Sequence, residues 1–200
     1  MRIDIILYEG FDELDAIGPY EVLRSAAEAG ADFDVRLVAK DAEQCEVRAG
    51  YGARVAVDGH FDGTADVVVV PGGGWAARAP RGAWAEYQRG DWLPVLRDAF
   101  DRGTVLAGVC TGSMLLAHAG VIGGRPAATH HSAWNDLEAT GARVVRDRVV
   151  DDGQLVTAGG VTSGIDLALW LVERFAGREL ADRAAERLEY ARARPERVGA

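Results

Sequence analysis

Two periodicities alternate along this chain. Short apolar runs rich in Val and Ile are followed by longer stretches whose apolar positions recur every three or four residues. Ile3-Asp4-Ile5-Ile6-Leu7 predicts a buried strand, and residues 14–28, closed by Gly30, predict the helix after it. Residues 33–39 predict a second strand. Residues 45–57 alternate polar and apolar around Gly50 and Gly52, the pattern of a small hairpin. Residues 66–70 put four valines in a row after one acid, as in a strand covered on both faces. Beyond it the pattern predicts a helix over 92–102, a strand over 104–109, and helices over 111–119 and 135–139. Residues 143–158 read as two strands joined by Asp151-Asp152-Gly153, a tight-turn signal. Residues 163–175 and 179–190 are amphipathic and predict two closing helices. This order predicts an α/β fold, an open parallel sheet with helices on both faces and a β-hairpin excursion. No repeat, linker or low-complexity segment divides it, so one domain is expected over 1–190, with a polar tail over 191–200.

Composition narrows the function classes. The 200 residues suffice for one sizeable core, and 48% hydrophobic with 26% charged is ordinary for a soluble globular protein. The net charge of −9 repels a phosphate backbone, and the Arg-rich stretch 143–148 is interrupted by acid, so no nucleic-acid partner is expected. No apolar run approaches the ~20 residues of a membrane span, so no membrane association is expected. Arg2 and Asp4 stand where a signal peptide needs its apolar core. Two cysteines, Cys45 and Cys110, make no disulfide framework. A reduced cytoplasmic location follows as the expectation.

In open α/β sheets, sites form beyond the carboxyl ends of the strands. Residues 12–19, 72–74 and 110–113 end there, and residues 129–134 can reach the same rim. Gly108-Val109-Cys110-Thr111-Gly112-Ser113 passes from a buried strand straight into a helix. That is a nucleophile-elbow arrangement with sulfur in place of a serine oxygen. The N–H groups opening the helix, Thr111 among them, favour thiolate, lower the thiol pKa and can hold charge developing on a substrate. The alternative is a buried structural cysteine. Gly72-Gly73-Gly74 supplies amides for an oxyanion or simply makes a tight turn; no dinucleotide fingerprint opens a helix here. Asp15 is either a helix-start acid or a carboxyl beside the sulfur, able to hand a proton to substrate.

Together, the strand followed by Val70-Pro71-Gly72-Gly73, the Gly108–Ser113 elbow, Thr129-His130 and the later Gly159-Gly160-Val161-Thr162-Ser163-Gly164-Ile165-Asp166 resemble the ThiJ/PfpI superfamily, over residues 3–188. Leu14-Asp15-Ala16-Ile17-Gly18-Pro19 and the Cys110-Thr111 pair resemble its isonitrile hydratase branch. The resemblance implies a flavodoxin-like fold and a homodimer. It implies Cys110 as nucleophile, Asp15 as its carboxyl partner, Thr111 beside it, and amides of Gly73, Gly74 and Thr111 facing the reacting atom. Thr111 stands where the peptidase branch carries His, which disfavours a peptidase. Asp15 stands where the glyoxalase-like branch carries Glu. The same core forms the sensor half of arabinose-operon-type regulators, whose helix-turn-helix domain would need residues beyond Ala200.

His130 matches the superfamily's Thr-His pattern, as a proton shuttle, a polar wall of the pocket or a hydrogen-bonding support. Adjacent residues point to different sides, so His130 and His131 make a poor metal clamp, and no ligand spacing predicts a metal. Trp75, Trp84 and Trp134 are candidate pocket walls, Cys45 a surface thiol and Asp166 a structural acid. The expected reaction is hydration of an isonitrile to an N-substituted formamide, a small-molecule chemistry that needs no cofactor. Two rivals stay open: a Cys110 enzyme acting on α-oxoaldehydes, and a non-enzymatic module whose Cys110 oxidises reversibly or binds a ligand.

Overall fold

A computed structural model describes residues 1–193 of the chain. The predicted tail over 191–200 lies mostly outside the described residues. The apolar runs form β1 (Arg2–Ile6), β2 (Asp34–Ala39), the hairpin strands β3 (Glu46–Arg48) and β4 (Arg54–Ala56), β5 (Gly59–His60), β6 (Val67–Val70) and β7 (Val105–Gly108). Further along come β8 (Pro126–Ala127), β9 (Arg143–Val144), β10 (Val149–Asp152) and β11 (Leu155–Ala158). The helices are α1 (Glu13–Glu28), α2 (Ala83–Arg89), α3 (Leu93–Asp101), α4 (Gly112–His118), α5 (Trp134–Ala139), α6 (Ser163–Ala176) and α7 (Arg178–Arg187). Seven strands form one sheet in the order β10-β11-β7-β6-β1-β2-β5, parallel except for the β10–β11 pair. Its central valines, Val67 to Val70, are wholly buried, as a strand covered on both faces must be. Helices α1, α6 and α7 pack together as one layer, and α4 packs with α2, α3 and α5 as the other. This is the flavodoxin-like architecture.

Chain order reverses beside β1: the chain steps to β2 on one side, then returns to β6 on the other. A crevice opens at such a switch point, between the loops that leave the carboxyl ends of β1 and β6. Residues 8–12 and 71–74 are those loops, and the β7–α4 turn adjoins them.

Several elements differ from the sequence expectation. The two strands expected within 143–158 are three: β9 pairs in parallel with β8, and only Val149 onward joins the main sheet. The predicted turn is present, with the Gly153 N–H donating to Asp151 Oδ1 at 2.8 Å. Helix α2 was not anticipated, because its seven residues are too few to show a period. Among the described residues, no helix is long and apolar enough to cross a membrane.

Candidate active site

Cys110 lies between β7 and α4 with φ of 54°, a left-handed conformation that a side chain disfavours. The turn is fixed on every side. The Val109 N–H donates to Val70 O and the Gly112 N–H to Val109 O. Thr129 Oγ1 donates to the Cys110 carbonyl at 2.9 Å. A Cβ on Gly112 would stand 2.0 Å from Val70 O, so only glycine allows α4 to start this close to β6.

Asp15 arrives from the first turn of α1. The Gly18-Pro19 step lets that helix lie close on α6, where a Cβ added at Gly164 would stand 3.0 Å from Val109 and 3.4 Å from Pro19. The Asp15 side chain is 0% exposed. Its Oδ2 accepts from the Gly72 N–H at 2.9 Å, while buried Oδ1 has no conventional hydrogen-bond partner. The Cys110 thiol is the group beside this carboxyl and interacts with it directly. Burial, then the charge of Asp12, pushes Asp15 up to about 8, against the pull of the Gly72 amide and the thiol.

The thiol departs from expectation. Burial and the Asp15 charge push the Cys110 pKa well above its usual range, and the Thr111 amide, directed at the sulfur, only partly opposes them. The helix-start effect read from sequence is present but outweighed by desolvation. Two acidic groups packed together cannot both ionise readily, so they titrate as a pair sharing one proton.

The sulfur opens onto a cavity of about 280 Å³, lined by Asp12, Tyr51, Gly74, Trp75, Thr111 and His130 among others. The structure thus brings together Cys110, Asp15, Thr111, Gly73, Gly74 and His130. The Gly73 N–H, expected to face the reacting atom, is instead taken by Thr111 Oγ1 at 2.9 Å. The Gly74 N–H has no acceptor within the described residues and stays available at the cavity wall. His130 is half-buried, and its Nδ1 accepts from the Ser132 N–H at 3.2 Å with Ser132 Oγ at 2.8 Å. That bond places the hydrogen of the neutral ring on Nε2. Burial and His131 lower the His130 pKa. The His130 and His131 rings pack 4.1 Å apart rather than diverging, because His130 caps the 3-10 turn His131–Ala133. Among the described residues no group of three or more His, Cys, Asp or Glu is arranged to hold a metal ion.

Of the three tryptophans, Trp75 lines this cavity, its indole N–H held by Asp136 Oδ2 at 2.6 Å. Trp84 backs it edge-on, and Trp134 lines a different pocket under Arg146. Cys45 is exposed, and Asp166 is buried in a network with Arg148 and Tyr190. Sequence reading did not single out Asp12 or Tyr51. Asp12 reads as an ordinary helix cap, and it is one: its Oδ1 accepts from the Leu14 N–H. Tyr51 sits at the hairpin tip, whose N–H is held by Glu13 Oε1 at 2.8 Å, a long-range contact with no local signal.

A left-handed cysteine at a strand–helix elbow, with a buried carboxyl against its sulfur, defines an α/β protein built around a thiol–acid pair. Residues 1–174 match the DJ-1/PfpI family, and the chain belongs to it. The chain is 35% identical over 195 residues to an isonitrile hydratase of Pseudomonas putida, covering 98% of this chain and 81% of that one. It is 31% identical over 184 residues to the Parkinson disease protein 7 homolog of Danio rerio, covering 90% and 92%. A ThiJ/PfpI family protein from Pseudomonas syringae superposes with a TM-score of 0.80 at 27% identity, covering 100% of this chain and 78% of that one.

Proposed function

We propose that this protein hydrates an isonitrile to an N-substituted formamide. The observation that carries the reading is the Asp15 carboxyl buried against the Cys110 sulfur, the pair that links protonation of carbon to attack by sulfur. The similarity to an isonitrile hydratase along nearly the whole chain supports it. With one proton between them, the reactive form of the pair is thiolate beside carboxylic acid. The Cys110 thiolate bonds to the terminal isonitrile carbon, and Asp15 gives its proton to that carbon. A thioimidate, R–N=CH–S–Cys110, results. Water then adds to the carbon, the C–S bond breaks, the formamide leaves, and the pair recovers its proton. No electron is gained or lost. The Thr111 amide steadies the sulfur, the Gly74 N–H and His130 Nε2–H offer donors to the substrate, and Trp75 packs against its side chain. A homodimer is part of the same reading, as is work in the cytoplasm.

The test is formamide release from an aryl isonitrile by the purified protein, with Cys110→Ala as control. Turnover that vanishes in the variant is expected. Cys110-dependent lactate from methylglyoxal, with the isonitrile untouched, would transfer the reading to α-oxoaldehydes.

A further inference from the structure

The hydration needs a proton given to carbon, which Asp15 supplies, and a proton taken from the attacking water. Asp15 is 0% exposed and does not line the cavity. A water attacking the thioimidate comes from the cavity, and its proton must go to a group on that wall. His130 is the wrong form: its Nδ1 already accepts from the Ser132 N–H, so Nε2 carries hydrogen and donates. Tyr51 and Thr111 present hydroxyls rather than a carboxylate. Asp12 is the carboxylate that remains. It lines the same cavity as Cys110, is half-buried, and is anchored at the start of α1 by the Leu14 N–H. Burial and the neighbouring Glu13 charge raise its pKa, against the Leu14 and Asp15 amides and His130, which lower it.

We propose that Asp12 is the general base of the second half-reaction, taking a proton from the water that attacks the Cys110-bound thioimidate. This rests on the hydration reading above. The water oxygen bonds to the thioimidate carbon as Asp12 accepts one of its protons. Asp12 then passes that proton to the substrate nitrogen. The proton left on the new hydroxyl goes to the Asp15 carboxylate as the C–S bond breaks. The product is R–NH–CHO, and Asp12, Asp15 and Cys110 return to their starting forms. Burial, which is the largest influence on Asp12, holds its pKa above the ordinary carboxylate value and suits it to accept a proton. The two carboxyls differ in depth: Asp15, the acid, is wholly buried, and Asp12, the base, is half-buried on the cavity wall.

The experiment follows intact mass and formamide after mixing with an aryl isonitrile. Asparagine caps a helix as well as aspartate does, so Asp12→Asn keeps the start of α1. The expected result is a roughly 100-fold or larger fall in kcat. It is accompanied by one isonitrile mass accumulating on Cys110 at the wild-type rate. Hydroxylamine, a nucleophile that needs no base, then discharges that adduct. Asp15→Asn is expected to form no adduct. Asp12→Asn turning over within a few-fold of wild type, or failing to form the adduct, overturns the assignment. Wild type releasing no formamide removes the hydration reading first, and the assignment with it.

Discussion

The burial that puts Asp15 against Cys110 also sets how the protein responds to pH. Below about 8 the carboxyl holds its proton and the thiol holds its own, so no thiolate exists. Loss of one proton from the pair leaves thiol beside carboxylate, in equilibrium with the reactive thiolate beside carboxylic acid. The kcat/KM for an isonitrile is therefore expected to rise with unit slope up to about pH 8 and to level there. A profile already flat from pH 5 upward would contradict the shared proton. The same shift carries a stability cost. Between the ordinary carboxylate range and about 8, the folded state holds a proton that the unfolded state has lost, so stability falls as pH rises. The slope is at most about 1.4 kcal/mol per pH unit. Asp15→Asn removes it. Its melting temperature is expected to exceed wild type at pH 8 by more than at pH 5, as differential scanning calorimetry would read. An unchanged difference would mean Asp15 ionises freely. Thr111→Val tests the other half of the cradle. It strips the Gly73 N–H of its acceptor and is expected to cost about 1–3 kcal/mol in urea unfolding.

At the level of elements, the site is made by three loops meeting where chain order reverses, and close backbone approach holds them together. Gly112→Ala drives a Cβ against Val70 O. It is expected to lower stability by at least about 3 kcal/mol, read as a shifted denaturation midpoint. A neutral result would mean that α4 can retreat from β6. The strands and long helices were legible because apolar runs and 3.6-residue periods report burial directly. Cys110 was legible because glycines and a strand–helix junction surround it, whereas Asp15 read equally as a helix-start acid and its pairing with the sulfur was implied by the family resemblance. What escaped was set by contacts distant in sequence. Helix α2 was too short to show a period, and β8 and β9 are two residues each. Asp12 looked like any cap, and only the cavity shows it sharing a wall with Cys110. The direction of the thiol shift escaped for a related reason: the helix start is local and visible, whereas burial belongs to the finished fold.

For the whole molecule, the net charge of −9 predicts no affinity for nucleic acid, and the homodimer belongs to the proposed reading. Sedimentation is expected to give twice the 21.3 kDa chain mass, and a monomer at every concentration would refute it. The central claim is that Cys110 and Asp15 act as one unit on an isonitrile. Residues that act as a unit lose activity non-additively, since removing either disables the same step. The most direct measurement is kcat for formamide release by wild type, Cys110→Ala, Asp15→Asn and the double variant. The account predicts that all three variants fall to one common background, roughly 100-fold or more below wild type. Asp15→Asn retaining near wild-type turnover, or a double variant far slower than either single one, would contradict it.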